Sequence, residues 1–149
     1  GPHQLRGIEI YNGRPIFYSL GNFIFQNETI DPMPSDQRTR YGLPLNKLAS
    51  EIYDTRFQVD DNGNPTTGFP IGSEWYESVV AVAEFEGDEV VEIRLYPIEL
   101  GWKSPRSQRG TPRFAPETLG RKIIKNLADL SAPFGTRIDY EDGIGIWRR

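Results

Sequence analysis

The stretch Gly1 to Phe25 reads GPHQLRGIEIYNGRPIFYSLGNFIF and combines a histidine, a hairpin signal and a long apolar strand. Gly7 to Tyr11 alternates apolar and polar residues, which is the pattern of a half-buried strand. The following Asn12-Gly13 is the dipeptide that best tolerates the two positive φ angles of a type I′ turn. Ile16 to Leu20 then predicts a returning strand that is apolar on both faces. We therefore expect a β-hairpin in this stretch.

Length and composition predict one domain over residues 1–149. The chain is 37% hydrophobic and 12% aromatic, which suits a globular domain with a core. It has no cysteine, and this excludes disulfides, cysteine–zinc sites and thiol nucleophiles. The net charge of −4 is too mild to indicate a nucleic-acid partner. No apolar run approaches the roughly 20 residues of a membrane helix, so we expect no membrane span in this chain.

Residues 26–75 carry little periodicity and contain five prolines. Loops of such length are uncommon in compact domains, so this segment is predicted to be a long loop or an insertion. Within it, Leu45 to Tyr53 is compatible with one or two helical turns. Thr55 to Val59 is compatible with a short strand.

Two further hairpins and a helix are predicted after this segment. Glu77 to Leu100 contains a continuous apolar run, a Gly87-Asp88 turn and an alternating return strand. Pro97 suggests that the end of this return strand lies at a sheet edge. Pro116 to Ser131 has apolar residues at helical spacing, which predicts an amphipathic helix. Residues 136–148 predict a terminal hairpin around an Asp-Gly turn.

Together these elements predict an α+β fold that is rich in β-hairpins and has one main amphipathic helix. The predicted strands Ile16 to Leu20 and Val79 to Ala83 are apolar on both faces. One helix covers only one side of one sheet, so the chain looks short of a layer. Either a partner chain supplies that layer, or the chain is part of a larger, here incomplete, domain.

The strings PHQLRGIEIYNGRPIFYSLGNFIF and SAPFGTRI resemble the C-terminal portion of the bacterial capsule-synthesis CapA family. That family is linked to poly-γ-glutamate synthesis and belongs to the calcineurin-like metallophosphoesterase superfamily. The resemblance is good over about the first 25 residues and moderate over Glu77 to Ile138, whereas residues 26–75 depart from it. It implies the β-rich C-terminal half of a four-layer αββα sandwich.

The resemblance also implies one metal ligand. The last ligand motif of the family resembles Gly-His-x-Pro-His or His-Gly-Pro-His, and Gly1-Pro2-His3 matches its tail, although Gly-Pro is also a common remnant of tag removal. His3 would then be the final histidine of a site for two Mn, Fe or Zn ions, all of which accept neutral imidazole. A disordered terminal histidine is the alternative. Because a catalytic site needs about three protein ligands, we expect no tightly bound metal in this chain alone.

Three residues are candidate substrate contacts. Gln4 and Arg6 lie close to His3 in sequence and could reach an anionic substrate, but ordinary surface positions suit them equally well. Asn22 follows a glycine at the end of an apolar strand. Its amide could orient a ligand or a phosphate oxygen, or it could satisfy a local Asx turn, the reading that the sequence slightly favours. A basic concentration over Lys103 to Lys125 would attract an anion, although a solvated connector and helix face explain it better.

The functional expectation is a metal-dependent hydrolase of capsule or poly-γ-glutamate biosynthesis whose dimetal site lies mostly upstream, so that this chain alone is inactive. Its partners would be the missing N-terminal half of the domain or a second chain, and an anionic polymer or phosphate ester. The resemblance implies a bacterial protein that is associated with the cell envelope or secreted. The alternative is a non-catalytic, β-rich binding module that pairs with a partner chain.

Overall fold

The computed structural model describes residues 1–26, 34–42, 44, 46, 48, 51, 57–59, 61, 65–68 and 72–149. Nine strands lie in these ranges: β1 (Ile8–Tyr11), β2 (Arg14–Phe17), β3 (Phe57–Val59), β4 (Pro65–Gly68), β5 (Glu77–Glu86), β6 (Glu89–Glu99), β7 (Arg113–Phe114), β8 (Asp139–Glu141) and β9 (Ile144–Arg148). The same ranges contain two α-helices, α1 (Ser35–Arg40) and α2 (Glu117–Ser131). Short 3₁₀ turns cover Ser73–Tyr76, Arg106–Gln108 and Ala132–Phe134.

The first hairpin, β1–β2, is confirmed. Asn12 and Gly13 have φ angles of 49° and 74°, as a type I′ turn requires. The second strand covers Arg14–Phe17 instead of the predicted Ile16 to Leu20, and Pro15 is tolerated within it because both strands of a two-stranded sheet are edges. Ile16 remains 38% exposed, so the structure does not show the predicted cover on both faces of this strand.

The segment 26–75 is described only in part. It contains α1 and the β3–β4 hairpin, and neither α1 nor β4 was predicted. β3 lies within the predicted strand Thr55 to Val59. The predicted helical turns at Leu45 to Tyr53 fall largely outside the described residues.

The main sheet is antiparallel, with the order β5-β6-β9-β8 and with β7 paired to β6. The predicted β5–β6 hairpin and the terminal β8–β9 hairpin are both confirmed. The edge position of Pro97 is wrong, because Pro97 is buried in the central strand β6 and faces Val79 of β5. Along β6, Pro97 lies between Leu95, which pairs with β9, and Ile98, which pairs with β7. Neither β9 nor β7 pairs with Pro97, so its missing N–H leaves no ladder hydrogen bond unmade on that side, and its carbonyl accepts from the Ala115 N–H at 2.9 Å.

Helix α2 packs on one face of this sheet, as its apolar stripe predicts. Ile123, Ile124 and Leu127 are at most 1% exposed and form one core with Ile93 and Leu95 of β6. The first hairpin covers the same face, since Ile8 belongs to this core. Among the described residues, α2 and the first hairpin form a layer on one side of the sheet.

The opposite face of the sheet divides into two halves. Near the β5–β6 turn it carries an ion-pair network around Glu92, Arg94 and Arg148. Near the other end it is apolar and forms an open groove of about 480 Å³. We call this the apolar groove; its lining consists of Phe23, Val80, Val82, Tyr96, Ile98, Pro112, Arg113 and Phe114.

This architecture confirms a β-rich, mostly antiparallel α+β fold with one main helix. The four-layer sandwich remains a prediction. In the part of the chain that is described, no helix is long and apolar enough to cross a membrane.

Candidate functional site

His3 and Asn22 meet because the two arms of the first hairpin continue side by side beyond its strands. Arg6 N–H donates to the Ser19 carbonyl at 3.0 Å, and an isolated β-bridge joins residues 5 and 20. This pairing brings His3 Nδ1 to 2.7 Å from Asn22 Oδ1. The sequence predicted both residues as site candidates, and the structure places them in direct contact.

A glycine sets the position of Asn22. Gly21 has a φ angle of 81°, and a Cβ atom there would lie 2.8 Å from the Glu77 carbonyl oxygen. Only glycine suits both the left-handed backbone and the close approach to β5. The chain therefore passes tightly against the start of β5 and turns the Asn22 side chain toward His3.

Asn22 does not use its side chain for the local Asx turn that the sequence slightly favoured. Its Nδ2 donates to the Trp75 carbonyl at 2.9 Å and to the His3 carbonyl at 3.2 Å. The amide thus links three segments that are far apart in sequence. No local turn signal could have shown Trp75 as a member of this site.

Aromatic rings surround the imidazole. The ring centroids of Phe25 and Trp75 lie 6.2 and 6.0 Å from that of His3. Phe25 belongs to a second small core with Tyr76, against which Trp75 packs. His3 itself is exposed, so a structured aromatic base supports a side chain that solvent or another molecule can reach.

Gln4 and Arg6 line a separate cleft of about 210 Å³. Glu74 and Glu77 line the same cleft, and the Glu77 carboxylate is buried and accepts a hydrogen bond from Lys122 Nζ at 2.7 Å. The cleft therefore carries charges of both signs. The assignment of Gln4 and Arg6 to an anionic substrate stays a prediction, as does a direct substrate contact for Asn22.

The basic concentration is largely neutralised where the structure describes it. On α2, Arg121 pairs with Glu117, and Lys125 pairs with Asp129, each at i,i+4 spacing. Arg121 also lies over the Tyr140 ring, 4.4 Å from its centroid. Such exposed pairs are typical of a solvated helix surface, and this fits the simpler interpretation of these cations.

The shifted pKa values of Glu92 and Tyr18 reflect polar contacts at the surface of the sheets. Hydrogen bonds from Arg94 and then from Arg148 lower the pKa of the Glu92 carboxyl. The hydrogen bond from the Tyr18 hydroxyl to Glu9, 2.6 Å long, raises the pKa of Tyr18. Glu92 lies on the open face of the main sheet and Tyr18 lies just beyond β2. In both places the hydrogen bond joins two side chains at the protein surface.

The described residues fit one ligand position of a metal site. No group of three His, Asp or Glu side chains within the described ranges lies close enough to hold a metal ion. His3 fits a single position, since a ligating histidine typically has its second ring nitrogen hydrogen-bonded to an orienting group, as Nδ1 is to Asn22. A complete dimetal site would need ligands from elsewhere.

Comparison with known proteins shows a short match to capsule-synthesis proteins at the start of the chain. The family described as bacterial capsule synthesis protein PGA_cap matches residues 1–27. The PGA biosynthesis protein CapA of Bacillus subtilis (strain 168) is 71% identical over 24 residues, which is 16% of this chain and 6% of that protein.

The similarity over the whole chain is to proteins whose function is not known. The uncharacterized proteins y4sH and y4uA of Sinorhizobium fredii (strain NBRC 101917 / NGR234) are each 44% identical over 162 residues. Each match covers 99% of this chain and 32% of the relative, so the chain spans about a third of the length of these curated relatives. The stretch that contains His3 and Asn22 is therefore similar to capsule-synthesis proteins, and the chain as a whole is similar to one region of longer proteins.

Proposed function

We propose that this chain is the C-terminal part of a CapA-like, metal-dependent hydrolase that acts in the biosynthesis of a bacterial capsule or of poly-γ-glutamate. The observation that carries the proposal is His3, which lies in the 27 residues that match the capsule-synthesis family and is held by a side chain from the same stretch. A role in making a surface polymer implies that the protein works at the cell envelope or outside the cell.

In this proposal His3 binds one ion of a Mn, Fe or Zn pair. Bound divalent metal ions would polarise a phosphoryl or acyl centre and activate a water molecule. The first hairpin positions His3, and Asn22 and the neighbouring aromatic rings restrain its imidazole. Arg6 and Gln4 would meet an anionic polymer or phosphate ester that reaches their cleft. The remaining ligands would come from the rest of the longer protein.

We further propose that the rest of that protein covers the apolar groove. Val82 is 46% and Phe114 is 76% exposed, although both point into a surface whose lining is almost entirely apolar. An antiparallel sheet can leave a polar face to water, but this part of the face is apolar, so covering it would stabilise the sheet, and the described residues cover only the opposite face. About two thirds of the length of the S. fredii relatives lies outside their match to this chain, which is enough for a further sheet and its helices.

The apolar groove also supports the second candidate, a non-catalytic binding module. An exposed apolar patch marks an interaction surface whether or not a metal is nearby. In this case the groove would pair with a partner chain or a second copy, and His3 would only stabilise the hairpin.

Metal content and hydrolysis in the full-length protein test the proposal. We expect about two metal ions per chain by elemental analysis and hydrolysis of a generic phosphodiester such as bis(p-nitrophenyl) phosphate. His3→Ala should remove metal and lower hydrolysis by more than about 100-fold, since losing a ligand exceeds the 10–100-fold effect typical of an outer-shell partner. Arg137→Ala, on the exposed loop before β8, is the matched control and should leave both unchanged.

A full-length protein that binds no metal and hydrolyses nothing would overturn the proposal, and a stable symmetric dimer would then favour the binding module. Submicromolar, stoichiometric metal binding by residues 1–149 alone would contradict the expectation that this chain supplies a single ligand.

A further inference from the structure

The Asn22 amide makes three hydrogen bonds, and together they fix which way it points. Nδ2 has two carbonyl acceptors, on Trp75 at 2.9 Å and on His3 at 3.2 Å. If the amide were turned over, its oxygen would face two carbonyl oxygens, and no proton would lie between them. Therefore Oδ1 is the atom that faces His3.

This orientation decides where His3 carries its proton. Oδ1 is an amide oxygen and can only accept a hydrogen bond, and it lies 2.7 Å from His3 Nδ1. Nδ1 must then donate, so in the neutral imidazole the proton is on Nδ1 and the lone pair is on Nε2. The chain has a single histidine, so this assignment concerns one defined ring.

The same side chain restrains the backbone of His3. His3 has a φ angle of 55°, a left-handed conformation that is unfavourable for a residue with a side chain. The bond from Asn22 Nδ2 to the His3 carbonyl helps to hold this conformation. Asn22 therefore fixes both the position of the residue and the tautomer of its ring.

We propose that Asn22 is the positioning residue of the site: it holds His3 as the Nδ1–H tautomer so that Nε2 is the nitrogen that binds the metal. The ligand role of Nε2 rests on the proposed function, whereas the tautomer does not. A ligand that is already oriented and in the correct tautomer loses less freedom on binding, so Asn22 raises metal affinity without contacting the metal.

Nitrogen NMR of the single histidine tests the tautomer directly. At mildly alkaline pH, long-range ¹H–¹⁵N spectra of this chain should show a protonated Nδ1 and a pyridine-like Nε2. Asn22→Ala should give a tautomer mixture. Asn22→Asp keeps an oxygen that accepts from Nδ1–H, but it loses both Nδ2 hydrogen bonds and sets a carboxylate oxygen against the Trp75 and His3 carbonyls, so it should retain the Nδ1–H form only in part. Gln26→Ala removes an exposed amide of the next segment and should change nothing at His3.

Metal titration of the full-length protein supplies the second measurement. Asn22→Ala should weaken metal binding by about 10–100-fold, the range typical of groups that orient a ligating histidine. Amide spectra of each variant report whether the fold is intact. If Asn22→Ala proves unfolded, the wild-type tautomer still decides.

An Nε2–H tautomer in the wild-type chain, or an unchanged tautomer in a folded Asn22→Ala variant, would overturn the proposal. A changed tautomer with unchanged metal affinity would overturn the positioning role and leave the proposed function standing. If His3→Ala also leaves metal binding unchanged, the proposed function itself fails, whereas the tautomer assignment stands.

Discussion

Ser131 is the buried hydroxyl that joins helix α2 to the first hairpin. Its Oγ donates to the Leu127 carbonyl at 2.6 Å and accepts from the Ile8 N–H at 3.0 Å, with the residue 0% exposed. We expect Ser131→Ala to lower the free energy of unfolding by about 1–3 kcal/mol, because the Ile8 N–H would remain buried without an acceptor. Urea denaturation of residues 1–149 measures this.

The matched control is Ser107→Ala, a serine on an exposed connector. It should change the free energy of unfolding by no more than about 0.5 kcal/mol. Equal losses in the two variants would show that the hydroxyl of Ser131 does not satisfy the hairpin backbone.

At the level of single residues, the sequence indicates candidates but not their partners. The family motif indicates His3, and the preceding Gly21 indicates Asn22. The partner of the Asn22 amide, the Trp75 carbonyl, is 53 residues away, so local turn chemistry slightly favoured an Asx turn. A contact of this kind depends on how β5 lies against the first hairpin, which no local pattern encodes.

Turns are the elements that the sequence predicts best, because their signals are local. Gly13 and Gly87 both have positive φ angles, 74° and 63°. Only Gly13 lies against a neighbour: a Cβ atom there would be 2.9 Å from Glu89 Cγ, whereas one at Gly87 would have nothing within 4 Å. A substitution at Gly87 therefore tests the cost of the backbone conformation alone, and one at Gly13 tests that cost together with the cost of a steric clash.

We expect Gly87→Ala to cost about 1 kcal/mol for the left-handed backbone alone. Gly13→Ala should cost about 2–3 kcal/mol, because the turn must also move away from Glu89 and weaken the 2.7 Å hydrogen bond from Val90 N–H to the Gly13 carbonyl. Thermal and urea unfolding of both variants provide the comparison. A smaller loss for Gly13→Ala than for Gly87→Ala would contradict the packing of this turn on β6.

The sequence predicts the presence of a strand better than it predicts the position of that strand within a sheet. The helical stripe of α2 and the alternation along β6 are periodic signals and predicted those elements correctly. Pro97 suggested an edge because proline lacks an N–H, yet it lies in the central strand, in the gap between two partner strands. Such a gap arises from strand register, which is set by residues about 50 positions further along the chain.

For the whole molecule, the sequence predicts that one layer is absent but does not say what supplies it. The apolar run Val79 to Ala83 indicated cover on both faces, and the structure places Val82 in the exposed apolar groove instead. The missing cover has no sequence signal within the residues that form the groove.

A single engineered cysteine can locate that cover, because the chain has no cysteine of its own. We expect Val82→Cys to react readily with a thiol reagent in residues 1–149. In the full-length protein, where the groove is covered, its reaction rate should be lower by about tenfold or more. Mass spectrometry of the labelled peptide identifies the site. Asp129→Cys, on the outer side of α2 where the aspartate side chain is 64% exposed, should react equally in both.

Equal reactivity of Val82→Cys in the two proteins would contradict cover by the rest of the longer chain. Protection that rises with the concentration of residues 1–149 would show that a second copy occupies the groove. Protection in residues 1–149 at every concentration would show that the chain covers its own groove.

The first hairpin also acts as a spacer of fixed length between His3 and Asn22. Its register pairs Ile8 with Phe17 and Tyr11 with Arg14, so the two arms reach His3 and Asn22 after equal numbers of steps. Deleting one residue from either arm would exchange the two faces of that arm and separate the pair, whereas a longer loop at Asn12-Gly13 would leave the pair in place. The pairing of His3 with Asn22 therefore constrains the lengths of the two arms, whereas the tip is constrained by its own packing against Glu89.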